Sequence, residues 1–339
     1  MDNTIQKEIG CTGNIINWAK EQDTTALARF FSHNSEKDLI CVGSGGSFSV
    51  CRYIALMYST GRGLGTAITP YSFYTLSDDV VRRSKLLLVS TSGHNKDIVT
   101  VAKKCMKINP EWTANLTSRD GTKNDLKRII NPCNSFNFES DISDGFISVN
   151  SVTANYLLAL KAFKSLERFN ISSLSFQYSP IKDIRHFIIL YGGWGEPAAL
   201  DLESKLVESG LATAAVSDFR NFCHGRFILA SNHCGHEKKD FVPNDCAVVL
   251  LSTPREERIS EAITSIIPER CKVFKITSAE SGAEASIELM LKATALFGEY
   301  ALVNNTNPLS PPNYGRIDKL KPQQIPFIKE IKDFGPFKI

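Results

Sequence analysis

The sequence has 339 residues, a formal net charge of +3 and no dense cluster of Lys and Arg. At roughly 150 residues per domain, this length favours two domains over one. Hydrophobic residues make up 42% and charged residues 22%, which is typical of a globular chain that buries a core. The small and scattered charge argues against a nucleic-acid partner.

The first residues, the apolar runs and the cysteines indicate in which cellular compartment the protein is expected. The first residues lack the basic-then-apolar layout of a targeting signal, and no apolar run approaches the ~18 residues that a membrane span needs. The nine cysteines are scattered without motif spacing, which is typical of reduced thiols. We therefore expect a cytoplasmic protein with no membrane partner.

Strand, polar loop and helix alternate through the first half of the chain. Short apolar runs predict strands at 38–42, 85–89 and 111–116, and helices are expected at 48–58, 97–106 and 152–168. This alternation predicts an α/β fold with a doubly wound parallel sheet, Rossmann-like and flavodoxin-type.

The second half repeats the same order of elements after a polar linker at 170–180. Strands are expected at 186–191, 246–251 and 271–276, and a helix at 197–209. We infer an internal duplication with one parallel sheet in each half. The predicted organisation is an N-terminal helical segment at 1–34, domains at 35–170 and 171–303, and an extended, proline-rich C-terminal tail at 304–339.

Two loops of the first half combine glycine with hydroxyl side chains just after a predicted strand. Ligands of an open parallel sheet bind outside the carboxyl ends of its strands, where glycine lets the backbone approach an anion. The candidate phosphate-binding residues are Ser44, Gly45, Ser47, Ser90, Thr91, Ser92 and Asn95. The alternative is that these residues serve only as turn and N-cap residues. A nucleotide is less favoured, because the P-loop lysine and the dinucleotide fingerprint are missing.

A charged stripe lies on the predicted helix of the second half. Asp201, Lys205 and Glu208 fall within an arc of about 60° at ~100° per residue. The opposite side, which is expected to pack on the sheet, carries Leu202, Leu206, Ala199 and Val207. By itself this spacing is typical of a solvated helix face with an i,i+4 ion pair. His224 follows sixteen residues after Glu208. Histidine titrates near neutral pH, although a lone histidine beside a glycine turn is more often structural.

In this order, the two loops and the charged helix resemble the isomerase half of glucosamine-6-phosphate synthase, which consists of two sugar isomerase (SIS) domains. The resemblance covers most of residues 35–320. That family has its phosphosugar loops where this chain has 43–47 and 90–93. Its second domain carries an acid, a Lys, a Glu and a His-Gly at the spacing that Asp201, Lys205, Glu208 and His224 keep here. The resemblance implies two doubly wound SIS domains.

The same resemblance implies an enzyme that acts on a hexose or aminohexose phosphate. Glu208 would be the base that moves a proton between C2 and C1 through an enediol, and Asp201 would stand at the first acidic position. Lys205 would orient the base and screen oxyanion charge. His224 would assist ring opening from the neighbouring subunit of a homodimer. No cofactor and no metal are implied.

Several positions depart from the family pattern. Asp201 replaces a glutamate, His94-Asn95 replaces Glu-Thr after the second loop, and Arg226 replaces a proline. Only residues 1–34 precede the first predicted domain, so we expect no glutaminase domain and no glutamine-dependent synthase activity from this chain alone. An isomerase, a deaminase and a deglycase all stay open.

A non-catalytic role is the alternative to the enzyme. SIS domains also serve as non-catalytic sugar-phosphate sensors or scaffolds, but a sensor needs neither Glu208 nor His224. A separate signal, the cluster of Cys223, His224, His233, Cys234 and His236, suggests a zinc site. These five residues lack the paired spacing of zinc ligands, and we therefore expect no metal.

Overall fold

The computed structural model describes residues 4–118, 124–140, 144–167, 169, 182–234, 245–268 and 271–309. Contacts between residues divide the chain into two units. The first unit contains the described residues between 13 and 140 together with 150–167, and the second contains those up to 12, 144–149, and those from 169 to 309. The domain boundaries inferred from the sequence stay predictions.

The first unit is built on a parallel five-stranded sheet. Its strands are β1 (Leu39–Val42), β2 (Gly65–Ile68), β3 (Lys85–Val89), β4 (Thr113–Thr117) and β5 (Ser135–Asn137), in the order β2-β1-β3-β4-β5. This is the flavodoxin-type order, in which the direction of chain progression reverses between β1 and β3. The predicted doubly wound fold is confirmed for this unit.

Three helices precede β1, and six more lie between β1 and residue 168. They are α1 (Thr4–Gly10), α2 (Thr12–Glu21), α3 (Thr25–Ser32), α4 (Gly46–Gly61), α5 (Pro70–Phe73), α6 (Asp78–Arg83), α7 (Lys96–Ile108), α8 (Asp125–Ile129) and α9 (Asn150–Phe163), with a 3-10 turn at Pro132–Asn134. The helix expected at 152–168 therefore begins two residues earlier and ends at Phe163. A predicted strand start at 111 is also wrong, because β4 begins at Thr113.

Burial of the strands explains why apolar runs revealed them. All residues of β1 and β3 are buried, because helices cover both faces of a doubly wound sheet. One core cluster joins β1 and β3 to α7, and includes Ile40, Val42, Leu86, Leu88, Ile98 and Val101. This packing holds the carboxyl ends of β1 and β3 side by side at one edge of the sheet.

The second unit has a parallel four-stranded sheet. Its elements are β6 (His186–Tyr191), α10 (Glu196–Glu208), β7 (Thr213–Asp218), α11 (Phe219–Asn221), a π-helical segment (Phe222–Arg226), α12 (Phe227–Cys234), β8 (Cys246–Ser252), α13 (Glu257–Ile266), β9 (Lys272–Thr277) and α14 (Ala283–Val303), with a 3-10 turn at Gly193–Gly195. The strand order β7-β6-β8-β9 repeats the order β2-β1-β3-β4 of the first unit. The predicted internal duplication is therefore visible in the topology.

Some sequence predictions fall on residues that the structure leaves out. The linker at 170–180 lies outside the described residues, and so does the predicted tail beyond 309. Within the described part of the chain, no helix is both long and apolar enough to cross a membrane.

Candidate functional site

The loop after β1 presents hydroxyl groups at the edge of the first sheet. Ser44 and Gly45 are exposed, and Ser47 is half-buried in the first turn of α4. The backbone N–H of Ser47 donates to the carbonyl oxygen of Ser44 at 3.2 Å, which closes a tight turn. Among the described residues no side chain caps the start of α4. The N–H of Ser47, and that of Phe48, which donates to the carbonyl oxygen of Gly45 at 2.9 Å, are occupied within this turn. What α4 itself offers an anion is the positive end of its helix dipole.

The loop after β3 lies beside it and is held by its own hydrogen bonds. The buried Ser90 accepts from the backbone N–H of Gly93 at 3.2 Å, while Thr91 and Ser92 stay half-buried. Asn95 caps α7, since its Oδ1 accepts from the N–H of Asp97 at 2.9 Å. Within the described residues the Thr91 and Ser92 hydroxyls make no hydrogen bond, whereas the side-chain oxygen of Asn95 is committed to the helix.

Because β1 and β3 are neighbours, these two loops flank the point where the strand order reverses. In flavodoxin-type sheets this switch point is where a crevice forms outside the carboxyl ends of the strands. The sheet therefore brings together the two groups of predicted phosphate-binding residues, which the sequence separates by more than forty positions.

A buried polar network supports the second loop. Nδ2 of Asn124 donates to Thr117 Oγ1 at 3.2 Å and to Asn137 Oδ1 at 2.9 Å. The loop is fixed to this network because the N–H of Leu126 donates to the carbonyl oxygen of Gly93 at 3.0 Å. Gly93 adopts φ +69°, and a Cβ at this position would lie 2.6 Å from Cγ of Asn124. Asn124 was not among the residues predicted from the sequence, although the polar side chains that end β4 and β5 were a signal for it.

In the second unit, α10 carries the predicted Asp201, Lys205 and Glu208. Asp201 is 0% and Lys205 3% exposed, and Nζ of Lys205 forms an ion pair with Oδ2 of Asp201. The solvated helix face that the spacing suggests is therefore wrong for these two residues. Packing of α10 against α14 and the sheet removes both from solvent. Val207, expected to pack on the sheet, is instead 47% exposed.

Glu208 ends α10 and is exposed. Its Oε1 accepts a hydrogen bond from the hydroxyl of Ser204 at 2.6 Å. The neighbouring Glu203 is half-buried, and burial together with the charge of Glu208 raises its pKa. Glu208 thus offers an accessible carboxylate one turn beyond a rigid, buried ion pair.

His224 lies in the π-helical segment that follows α11. Phe222 is buried in the core of the second unit, whereas Cys223 and His224 are exposed. Gly225 has a φ of 127°, which turns the backbone sharply after His224. In the described part of the chain no hydrogen bond joins His224 to Glu208. Within one chain the structure therefore does not make these two residues partners.

A buried acid near Lys205 was not expected. Glu8 of α1 is 7% exposed, and its Oε1 accepts from the N–H of Gly145 at 2.8 Å. Burial, with a smaller contribution from Asp144, raises the pKa of Glu8 to about 7, although Gly145 and Lys205 oppose the shift. No sequence signal could have revealed this acid, because nearly two hundred residues separate Glu8 from Lys205.

No metal centre is found among the described residues, since no three His, Cys, Asp or Glu side chains there could hold an ion. His236, one of the residues considered for zinc, lies outside the described residues. Cys223, which is described, is a free and exposed thiol.

No protein-family model matches the chain, and no curated protein matches it in sequence. Several solved structures are similar in fold. Tagatose-6-phosphate ketose/aldose isomerase from Escherichia coli has a TM-score of 0.67 at 18% identity, covering 91% of this chain and 95% of that one. The C-terminal domain of glucosamine-fructose-6-phosphate aminotransferase from Francisella tularensis has a TM-score of 0.65 at 14% identity, covering 92% and 99%. Glucosamine-6-phosphate deaminase from Thermotoga maritima has a TM-score of 0.61 at 16% identity, covering 89% and 97%.

The chain therefore has the double parallel-sheet fold of SIS-domain phosphosugar isomerases. Among these structures is the isomerase domain that the sequence motifs resemble, so the predicted resemblance is confirmed in the fold.

Proposed function

We propose that the chain is an enzyme acting on a hexose or aminohexose phosphate, as an aldose–ketose isomerase or a deaminase or deglycase. The observation that carries this proposal is the pair of serine- and glycine-containing loops at the switch point between β1 and β3. Neutral hydroxyl and N–H donors beside a helix N-terminus suit a phosphate ester. Two of the similar structures are named as a ketose/aldose isomerase and a deaminase of sugar 6-phosphates.

In this proposal Glu208 transfers the proton between C2 and C1 of the open-chain sugar. The exposed carboxylate supports this role, since a base must reach the substrate. The buried pair of Asp201 and Lys205 supports a positioning role, because it fixes the helical turn from which Glu208 projects. His224 would assist ring opening from the other subunit of a homodimer.

The proposal places the protein in the cytoplasm, which agrees with eight described cysteines that are all free thiols.

A non-catalytic sugar-phosphate sensor or scaffold is the second candidate. It is favoured by the surroundings of Glu208, whose one described hydrogen bond comes from a serine rather than from an activating group. The departures at Asp201 and Asn95 agree with it. Both candidates bind a phosphosugar, so only a test of chemistry separates them.

Hydrogen exchange with solvent tests the chemistry without knowledge of the final product. Each hexose or aminohexose phosphate that binds is incubated in D₂O, and NMR follows deuterium entering beside the carbonyl carbon. E208Q is expected to slow this exchange by about 10²–10⁴-fold and to leave the Kd nearly unchanged. E203Q, five residues earlier on α10, is the matched control and is expected to exchange at the wild-type rate. Exchange that is unaffected in E208Q would show that another group is the base.

The subunit arrangement has a separate test. When E208Q and H224A are co-expressed, a site shared between subunits restores about a quarter of wild-type exchange, because half of the dimers are mixed and each mixed dimer has one intact site. If His224 acts within its own subunit, no activity returns. A sensor would show no exchange in the wild-type protein with any sugar phosphate that it binds.

A further inference from the structure

The second unit repeats the first unit's architecture around its own switch point, between β6 and β8. The strands β6 and β8 occupy the places of β1 and β3, and α10 and α13 follow them as α4 and α7 follow theirs. The loop at 192–195 therefore corresponds to 43–47, and the loop at 253–256 corresponds to 90–95. From the duplication alone, a second crevice for an anion is expected here.

A carboxylate of the chain itself lies between the two loops that flank this second switch point. Glu256 stands at the N-cap of α13 but makes no capping hydrogen bond to that helix. Its Oε2 accepts instead from the backbone N–H of Thr253 at 3.0 Å and from the Thr253 hydroxyl at 2.6 Å. At the corresponding N-cap of the first unit, Asn95 does cap its helix. Glu256 thus takes up the two donors that the end of β8 could offer an anion.

The opposite wall of the crevice fits this side chain closely. A Cβ on Gly192 would overlap Cγ of Glu256 and lie 2.7 Å from its Cδ. A Cβ on Gly193 would lie 3.3 Å from Oε1. The Glu256 side chain therefore lies between the loop after β6 and the loop after β8. It packs on the backbone of Gly192 and Gly193, where the Cβ of any other residue would crowd it.

We infer that Glu256 is a built-in anion that fills the second unit's copy of the phosphate crevice, so that each chain binds one phosphosugar. This rests on the proposed function, because it assigns the phosphate to the serine loops of the first unit. In the second unit, loss of the carboxylate would free the hydroxyl and the N–H of Thr253, beside the start of α13, which the Glu256 side chain does not cap. A free phosphate suits this set of donors.

The number of inorganic phosphates bound per chain, measured by ³¹P NMR titration, tests the inference. The parent is S90A/S92A, in which the first crevice is disabled. In that parent, E256A is expected to gain one phosphate per chain and at least about a tenfold higher affinity. E256Q is the matched control, since it keeps the shape of the side chain and is expected to gain none.

The outcomes separate this inference from the proposed function. If S90A/S92A still binds one phosphate, the serine loops are not the phosphate site, yet the gain from E256A can still be measured above that parent. If E256A gains no phosphate, the inference is wrong. If E256A does not fold, as judged by circular dichroism, E256S is used in its place. A wild-type chain that binds two phosphates overturns the inference without any variant.

Discussion

The buried ion pair on α10 gives the most quantitative test of how the proposed base is positioned. The side chains of Asp201 and Lys205 are 1% and 3% exposed. Substituting Lys205 by methionine leaves a carboxylate in a dry environment, which costs about 3–5 kcal/mol of unfolding free energy. The double variant D201A/K205M removes the stranded charge as well. It is therefore expected to be about 2 kcal/mol more stable than K205M alone.

Urea unfolding followed by tryptophan fluorescence measures these differences in stability in the second unit, which contains α10. The chain has three tryptophans, and in a W18F/W112F background Trp194 reports on the second unit alone. K292M is the matched comparator, because Lys292 forms the same i,i+4 pair with Glu288 on α14, at 2.6 Å and 17–19% exposure. Its cost is expected to be about 1 kcal/mol. If K205M costs no more than K292M and the double variant recovers nothing, the pair is solvated and the positioning argument fails.

Two further predictions concern the loop after β3 and the acid near Lys205. Gly93→Ala is expected to destabilise the first unit by about 3 kcal/mol, because φ is +69° and the new Cβ would press on the buried Asn124. Urea unfolding measures this loss of stability, and a loss below about 1 kcal/mol would contradict the prediction. Burial raises the pKa of Glu8 from 4.5 to about 7, so Glu8 contributes stability below pH 4.5 that is lost as pH rises through 7. The free energy of unfolding is therefore expected to fall by about 3 kcal/mol between pH 4.5 and 8 because of Glu8. Urea unfolding across this pH range is expected to show that E8Q removes this dependence. An unchanged pH dependence in E8Q would assign it to other groups.

Of the nine strands in the described part of the chain, the sequence predicted six and missed β2, β5 and β7. The bounds of β3 and β6 agree with the prediction, because an uninterrupted apolar run marks a strand buried on both faces. By contrast, β2, β5 and β7 each have a single buried residue, so none shows the continuous apolar run that marks a fully buried strand. The 21-residue α14 was also missed, because it is buried on nearly every side and lacks a clear amphipathic period.

The candidate site shows the same division between local and tertiary information. The sequence located the hydroxyl-bearing loops, and spacing placed Asp201, Lys205 and Glu208 on one face of a helix. Spacing could not tell a solvated face from a buried one, since that depends on α14, which packs against α10 only in the folded unit. Likewise, no local pattern shows that Glu256 turns back onto Thr253 instead of capping its own helix.

Ligand-induced thermal stabilisation tests most directly whether the serine loops bind a phosphosugar. The wild-type protein is screened against hexose and aminohexose phosphates, with the matching unphosphorylated sugars as controls. A ligand at 100 times its Kd stabilises the folded state by about 2.7 kcal/mol, so we expect at least one sugar phosphate to raise the melting temperature by several degrees. The free sugars should give no shift, and the shift should be lost in S90A/S92A. A flat response across the panel, or an equal response in S90A/S92A, would contradict phosphate binding at these loops.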